Sequence, residues 1–268
     1  MSDTLFDTLR ESIRAETPVT LATIVQCPDD VPGLEIGAKI LLRPEQEPMG
    51  TLGNADLDRV VIRDARGELA AGTTGIRHYG PTGEARQEEV AVFVETFAPP
   101  PQMLIFGAVD FTAALTRVAK ILGYRVTVCD ARPVFATTQR FPYADEVVVD
   151  WPHRLLEKVG PELTPRDAIC VLTHDPKFDV PAVIAALLTR AGYVGAMGSR
   201  RTTEDRNRRL REEGVSDEQL ATIQAPIGLD LGARTPEETA ISICAEIIAL
   251  RSGRQAQSLR NTTGDIHT

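Results

Sequence analysis

The sequence predicts an α/β protein: a small, mainly β N-terminal domain followed by a doubly wound parallel sheet. Three observations carry this. Across residues 1–97, short apolar runs are punctuated by Pro and Gly. From residue 103 onward, continuous apolar runs alternate with stretches of helical period, the pattern of a parallel sheet covered on both faces. Between them lies APPPQ (98–102), whose three consecutive prolines suit neither a helix nor a central strand. The expected organisation is therefore a first domain at 1–97, a stiff linker at 98–102, a second domain at 103–251 and a frayed polar tail at 252–268.

Residues 3–14 read as a helix with Leu5, Phe6, Leu9 and Ile13 on one face. VTLATIV (19–25), KILLR (39–43), RVVIRD (59–64) and EVAVFVETF (89–97) read as strands. In the second domain, strands are expected at 103–108, 125–130, 146–150, 168–175 and 193–198. Helices are expected at about 112–122, 152–159, 181–191, 202–213 and 216–223. Thr235-Pro236-Glu237-Glu238 has the pattern of a capping box that opens a last helix.

The formal net charge of −9 opposes non-specific binding to nucleic acid or to an anionic membrane. No apolar run approaches the roughly 20 residues that span a bilayer, and the acidic N-terminus lacks the features of a signal peptide. A cytoplasmic protein is expected. Cys27, Cys129, Cys170 and Cys244 lack the spacing of a zinc site, so no metal site is assigned and the cysteines read as free thiols.

The first strand of a working dinucleotide fold of Rossmann type runs into G-x-G-x-x-G, which lets the backbone approach pyrophosphate. An acid at the end of the second strand then binds a ribose hydroxyl. Here the acid is present as Asp130, but the loop is Gly107-Ala108-Val109-Asp110-Phe111-Thr112 and keeps only its first glycine. Val109 places a branched side chain in the path of pyrophosphate. Asp110 adds a like charge, and is expected to cap the next helix itself.

Three other stretches are candidate ligand sites. Thr173-His174-Asp175 closes a strand at the carboxyl edge of the sheet, where open α/β folds bind ligands. His174 there suits a hydrogen-bond donor, a proton shuttle or a metal ligand, and the alternative is a polar turn. Gly198-Ser199-Arg200-Arg201 places a glycine, a hydroxyl and two guanidiniums at a strand-to-helix turn, which suits an anion. Arg206, Arg208, Arg209 and Arg211 follow, some of them paired on the helix surface with Glu204, Asp205, Glu212 and Glu213. Gly228 and Asp230 lie in an apolar loop before the last helix. No catalytic residue is assigned.

RVTVCDARPVFAT, FPYADEVVV, LTHDPKFDVPA, YVGAMGSRR and APIGLDLGARTPEETAISICAEIIALR together resemble the XdhC/CoxI family of molybdoenzyme accessory proteins. The resemblance covers about residues 103–251, and the N-terminal region more weakly. It implies a Rossmann-like second domain and a role in maturing xanthine dehydrogenase- or CO dehydrogenase-type molybdoenzymes. Members bind molybdenum cofactor, protect it during sulfuration and hand it to the apoenzyme. The implied partners are a molybdoenzyme, a sulfurtransferase and a second copy of the chain. Two places depart from the family. Where it has S-V-G-G-G-C-L-E, this chain has Thr51-Leu52-Gly53-Asn54-Ala55-Asp56-Leu57-Asp58, with Asp56 at the cysteine position. Where it has G-A-G-H-V-G, this chain has the altered loop at 107–112. An NAD(P)-dependent oxidoreductase and a non-catalytic docking protein are the alternatives.

Overall fold

In the computed structural model, which describes residues 2–85 and 87–263, the chain divides into two compact units, Met1–Pro99 and Pro100–Thr268. The first unit comprises α1 (Ser2–Arg14), β1 (Val19–Gln26), β2 (Lys39–Leu42), β3 (Met49–Thr51), α2 (Ala55–Ala71), β4 (Gly75–Tyr79) and β5 (Val90–Phe97). Its strands form an antiparallel sheet in the order β3-β2-β1-β5-β4. Alternation along β1 separates the two faces. Ala22 and Ile24 pack with Leu57 and Val61 of α2, while Val19 and Leu21 pack with Leu5 of α1.

RVVIRD (59–64), expected as a strand, lies inside α2 instead. Leu57, Val61, Ala65 and Leu69 recur every four residues as the buried face, so helical period overrides the strand preference of Val60, Val61 and Ile62. Asn54 caps the helix by accepting from the Asp56 and Leu57 N–H groups. β3 and β4 were not legible, being short and mostly exposed.

The second unit comprises β6 (Gln102–Phe106), α3 (Asp110–Ile121), β7 (Arg125–Cys129), β8 (Glu146–Val148), α4 (Pro152–Val159), β9 (Ala168–Val171), α5 (Pro176–Leu187), β10 (Tyr193–Ala196), α6 (Arg200–Glu212), α7 (Asp217–Leu220) and α8 (Pro236–Arg251). Its sheet is parallel, in the order β10-β9-β6-β7-β8. On β6, Met103 and Ile105 face a core shared with Leu115 of α3 and Ile243 of α8. Leu104 and Phe106 face a core shared with Leu155 of α4, Ala182 of α5 and Leu210 of α6. Each such buried side chain contributes about 1.5–3 kcal/mol relative to exposure.

Helices α5 and α6 begin earlier than their sequence patterns suggest. Asp175 caps α5, with Pro176 in its first turn and Pro181 inside it. Ser199 caps α6, so Arg200 and Arg201 belong to its first turn rather than preceding it. Expected strand residues 172–175 and 197–198 form the turns that lead into these helices.

Candidate functional site: a cleft between two helix N-termini

Strand order reverses around β6, which places the fold's usual ligand crevice at the carboxyl ends of β6 and β9. Here two groups expected to meet a nucleotide, Gly107 and Asp130, are engaged by the protein itself. Gly107 takes φ +112, and a Cβ on it would lie 2.8 Å from the Thr173 backbone nitrogen. Asp130 is 5% exposed, and its carboxylate accepts from the Ala108 N–H at 2.7 Å. The same carboxylate accepts from Arg132 through the backbone N–H at 2.9 Å, Nε at 2.9 Å and Nη2 at 2.8 Å. Burial tends to raise the Asp130 pKa, but the Arg132 side chain and the two backbone donors outweigh it and hold the group below its ordinary value. The acid expected at a ribose instead ties the phosphate loop to the end of β7.

Asp110 does not cap α3. The extended residue before the helix is Val109, which makes no side-chain cap, and Asp110 opens the first turn. Its carboxylate is exposed, 3.6 Å from Arg140 Nη2. The charge still meets the positive end of the helix, where it opposes an incoming phosphate.

In the first unit, the family's other expected ligand stretch is occupied in the same way. Asn54 caps α2, while Asp58 accepts from the Leu52 N–H and the Thr51 hydroxyl, both at 2.7 Å. Asp56, at the family's cysteine position, is exposed and accepts from its neighbour Arg59 at 3.3 Å.

The arrangement between the N-termini of α5 and α6 is different. His174, Pro176, Asp179, Val180, Arg201, Thr202, Asp205, Arg206 and Arg209 line a cleft of about 180 Å³ at the carboxyl edge of the sheet. Asp179 and Arg206 are 3% and 4% exposed, and their Oδ2 and Nη2 atoms are 3.8 Å apart, too long for a hydrogen bond. Arg206 Nη2 donates to the Met197 carbonyl. Arg206 Nε and Nη1, Asp179 Oδ1 and the Thr203 hydroxyl are buried without a partner among the described residues. Each such group costs about 1–3 kcal/mol, so this is an expensive arrangement to retain for structure alone.

Burial pushes the Asp179 carboxyl up to about 6, against the pull of Arg206 and a hydrogen bond from Thr173, with Asp175 adding to the rise. Burial likewise lowers Arg206, partly offset by Asp179. Gly198 matters to this geometry: a Cβ there would press on Thr202 at 3.0 Å and on Arg206 Nη2 at 3.2 Å.

Of the candidate residues in the sequence, His174 and Arg201 line this cleft. Thr173, Asp175, Gly198 and Ser199 form the turns that support it, through the Ser199 cap on α6 and the Asp175 cap on α5. Arg200 opens α6 beside it without lining it. Gly107 and Asp130 lie at the ends of β6 and β7, outside the cleft lining. Gly228 also lies outside the cleft, with its N–H donating to Glu246 at 2.9 Å, which ties its loop to α8. Asp230 is exposed nearby. Sequence reasoning missed Asp179 and the burial of Arg206. A signal for Arg206 was present: Thr203, Arg206 and Leu210 are spaced as one helical face, and all three are buried.

No group of three or more His, Cys, Asp or Glu side chains suited to a metal occurs among the described residues, and no helix there is long and apolar enough to cross a membrane. Cys129, Cys170 and Cys244 are buried free thiols, and Cys27 is half-buried.

The second unit is thus a dinucleotide-type α/β fold whose ribose-binding acid is tied to Arg132 and the Ala108 N–H, with a cleft between α5 and α6. Residues 103–247 match the XdhC Rossmann domain and residues 12–80 match the XdhC and CoxI family model; the chain belongs to the XdhC/CoxI family. It is similar to a probable xanthine dehydrogenase subunit of Bacillus subtilis, with 31% identity over 60% of this chain and 46% of that protein. It is also similar to the molybdenum cofactor insertion chaperone PaoD of Escherichia coli, with 27% identity over 60% of this chain and 44% of that one. The chain spans less than half the length of these curated relatives. A crystal structure of a xanthine dehydrogenase from Bacillus halodurans shares the fold, with a TM-score of 0.54, 21% identity and coverage of 94% of this chain and 97% of that one.

Proposed function

We propose that this protein is a maturation factor that binds molybdenum cofactor as cargo and passes it to a xanthine dehydrogenase- or CO dehydrogenase-type apoenzyme. The observation that carries this reading is the α5–α6 cleft, with its cationic rim and buried polar atoms that lack partners among the described residues. Membership of the family and the similarity to the insertion chaperone PaoD support it. A pterin phosphate is a multiply charged anion, and Arg201 and Arg209 line the cleft from the first and last turns of α6, with Arg200 at the helix start. The N-terminus of α6 adds its own positive field.

The donor set fits an organic anion held by charge and hydrogen bonds. Separately, in the first unit, Asp56 stands where the family has a cysteine and offers no soft thiolate to a metal. The work is binding and release rather than turnover. His174 stands at the rim as a further hydrogen-bonding group. A sulfurtransferase that installs the terminal sulfur, and a second copy of the chain, are partners in this reading. The engagement of the Asp130 carboxylate by Arg132 and the Ala108 N–H argues against an NAD(P)-dependent activity in the usual pose.

Equilibrium dialysis with purified cofactor tests the proposal. Saturable binding is expected, weakened tenfold or more in Arg200→Ala/Arg201→Ala. Absence of saturable binding, or unchanged affinity in the double variant, would overturn it.

A further inference from the structure

The floor of the cleft has a chemistry different from its rim. Asp179 Oδ1 is an acceptor without a partner among the described residues, and Arg206 Nε and Nη1 are donors in the same state. Both side chains line the cleft and are more than nine-tenths buried. A simple anion would satisfy Arg206 but meet repulsion from Asp179, and a simple cation would do the reverse. A ligand that satisfies both must present a donor and an acceptor side by side.

We propose that Asp179 and Arg206 read the lactam edge of a pteridine ring, the ring N–H donating to Asp179 Oδ1 and the adjacent carbonyl accepting from the Arg206 guanidinium. This rests on the cargo reading above and assigns the ring end of that cargo to the floor. The cleft volume of about 180 Å³ is below the roughly 300–1,000 Å³ typical of whole-ligand sites, so it takes a ring rather than an entire cofactor. The rest of the molecule extends outward to the Arg201 and Arg209 side chains. Discrimination follows from the burial. A ring without the donor leaves Asp179 unpaired, and one without the carbonyl leaves Arg206 unpaired.

Ligand-observed NMR titration of the full chain with unsubstituted pterin and with 3-methylpterin tests this. Unsubstituted pterin carries no phosphate, so its binding reports the floor alone. Saturable binding of pterin is expected, weakened tenfold or more by Asp179→Asn and, in the native chain, by methylation of the ring nitrogen. The methylated ligand provides a test that does not depend on a variant folding. Equal affinity for the two pterins would overturn the inference, as would undiminished pterin binding by folded Asp179→Asn. If the chain binds whole cofactor but not pterin, this inference falls and the cargo reading stands. If it binds neither, both fall.

Discussion

Asp130, which follows β7, and Asp179, in the first turn of α5, are buried carboxylates whose environments push them in opposite directions. Asp130 is held below its ordinary range because Arg132 and two backbone donors outweigh burial. Its stabilising contribution is present above the ordinary aspartate value of about 3.9 and is lost as pH falls through the depressed folded value. Asp130→Asn is therefore expected to lower stability by about 1–3 kcal/mol at pH 7, with the difference closing as the pH falls below the ordinary aspartate range. Urea unfolding at neutral and acid pH checks this. For Asp179 the sign is reversed. Its carboxyl is raised to about 6, so folding favours the protonated form. Its contribution is fully present below the ordinary aspartate value of about 3.9 and is lost as pH rises from there through the folded value. The stability of the native chain relative to Asp179→Asn should fall across that window, measured by urea unfolding at a series of pH values. The groups that face Asp179 are Arg206 on α6 and Thr173 and Asp175 at the β9–α5 turn, with His174, Arg201, Asp205 and Arg209 around the cleft. Gly107 adds a backbone constraint at the same sheet edge. Gly107→Ala should cost more than about 1 kcal/mol, since its positive φ and contact with Thr173 both oppose a side chain, and thermal unfolding would show it.

At the scale of elements, helix N-termini decide which places are free to bind. The starts of α2, α5, α6 and α8 each carry a side-chain cap, from Asn54, Asp175, Ser199 and Thr235. The Thr235 cap was legible because Thr and Glu stand three residues apart before an apolar face, and the reciprocal bonds of Thr235 and Glu238 are present. Thr235→Ala should cost about 1 kcal/mol, read from denaturant midpoints. The parallel sheet was legible for a similar reason: uninterrupted apolar runs suit strands covered on both faces. RVVIRD reads wrongly as a strand because its β-branched run masks a four-residue spacing that becomes clear only with Leu57 and Leu69 included. The cleft was half legible. Its rim, at His174 and Arg201, sits on recognisable turns, whereas its floor needs Asp179 and Arg206, which are distant in sequence and meet only through the packing of α5 against α6. No local pattern reports such a meeting.

In the whole molecule, the two family loops that depart from the usual pattern have become self-satisfied, while a third site keeps open valences. Asn54 and Asp58 fill the turn before α2, and Asp130 with Arg132 fills the turn before α3. Between α5 and α6 the fold retains a cleft lined by buried polar groups that lack partners among the described residues. In the proposed reading, cargo binds there rather than at the Rossmann loop. Hydrogen–deuterium exchange of the full chain, with and without purified molybdenum cofactor, tests it most directly. Protection is predicted in residues 173–180 and 198–206, with no change at 107–112. Protection confined to 107–112, or no change anywhere at saturating cofactor, would contradict it.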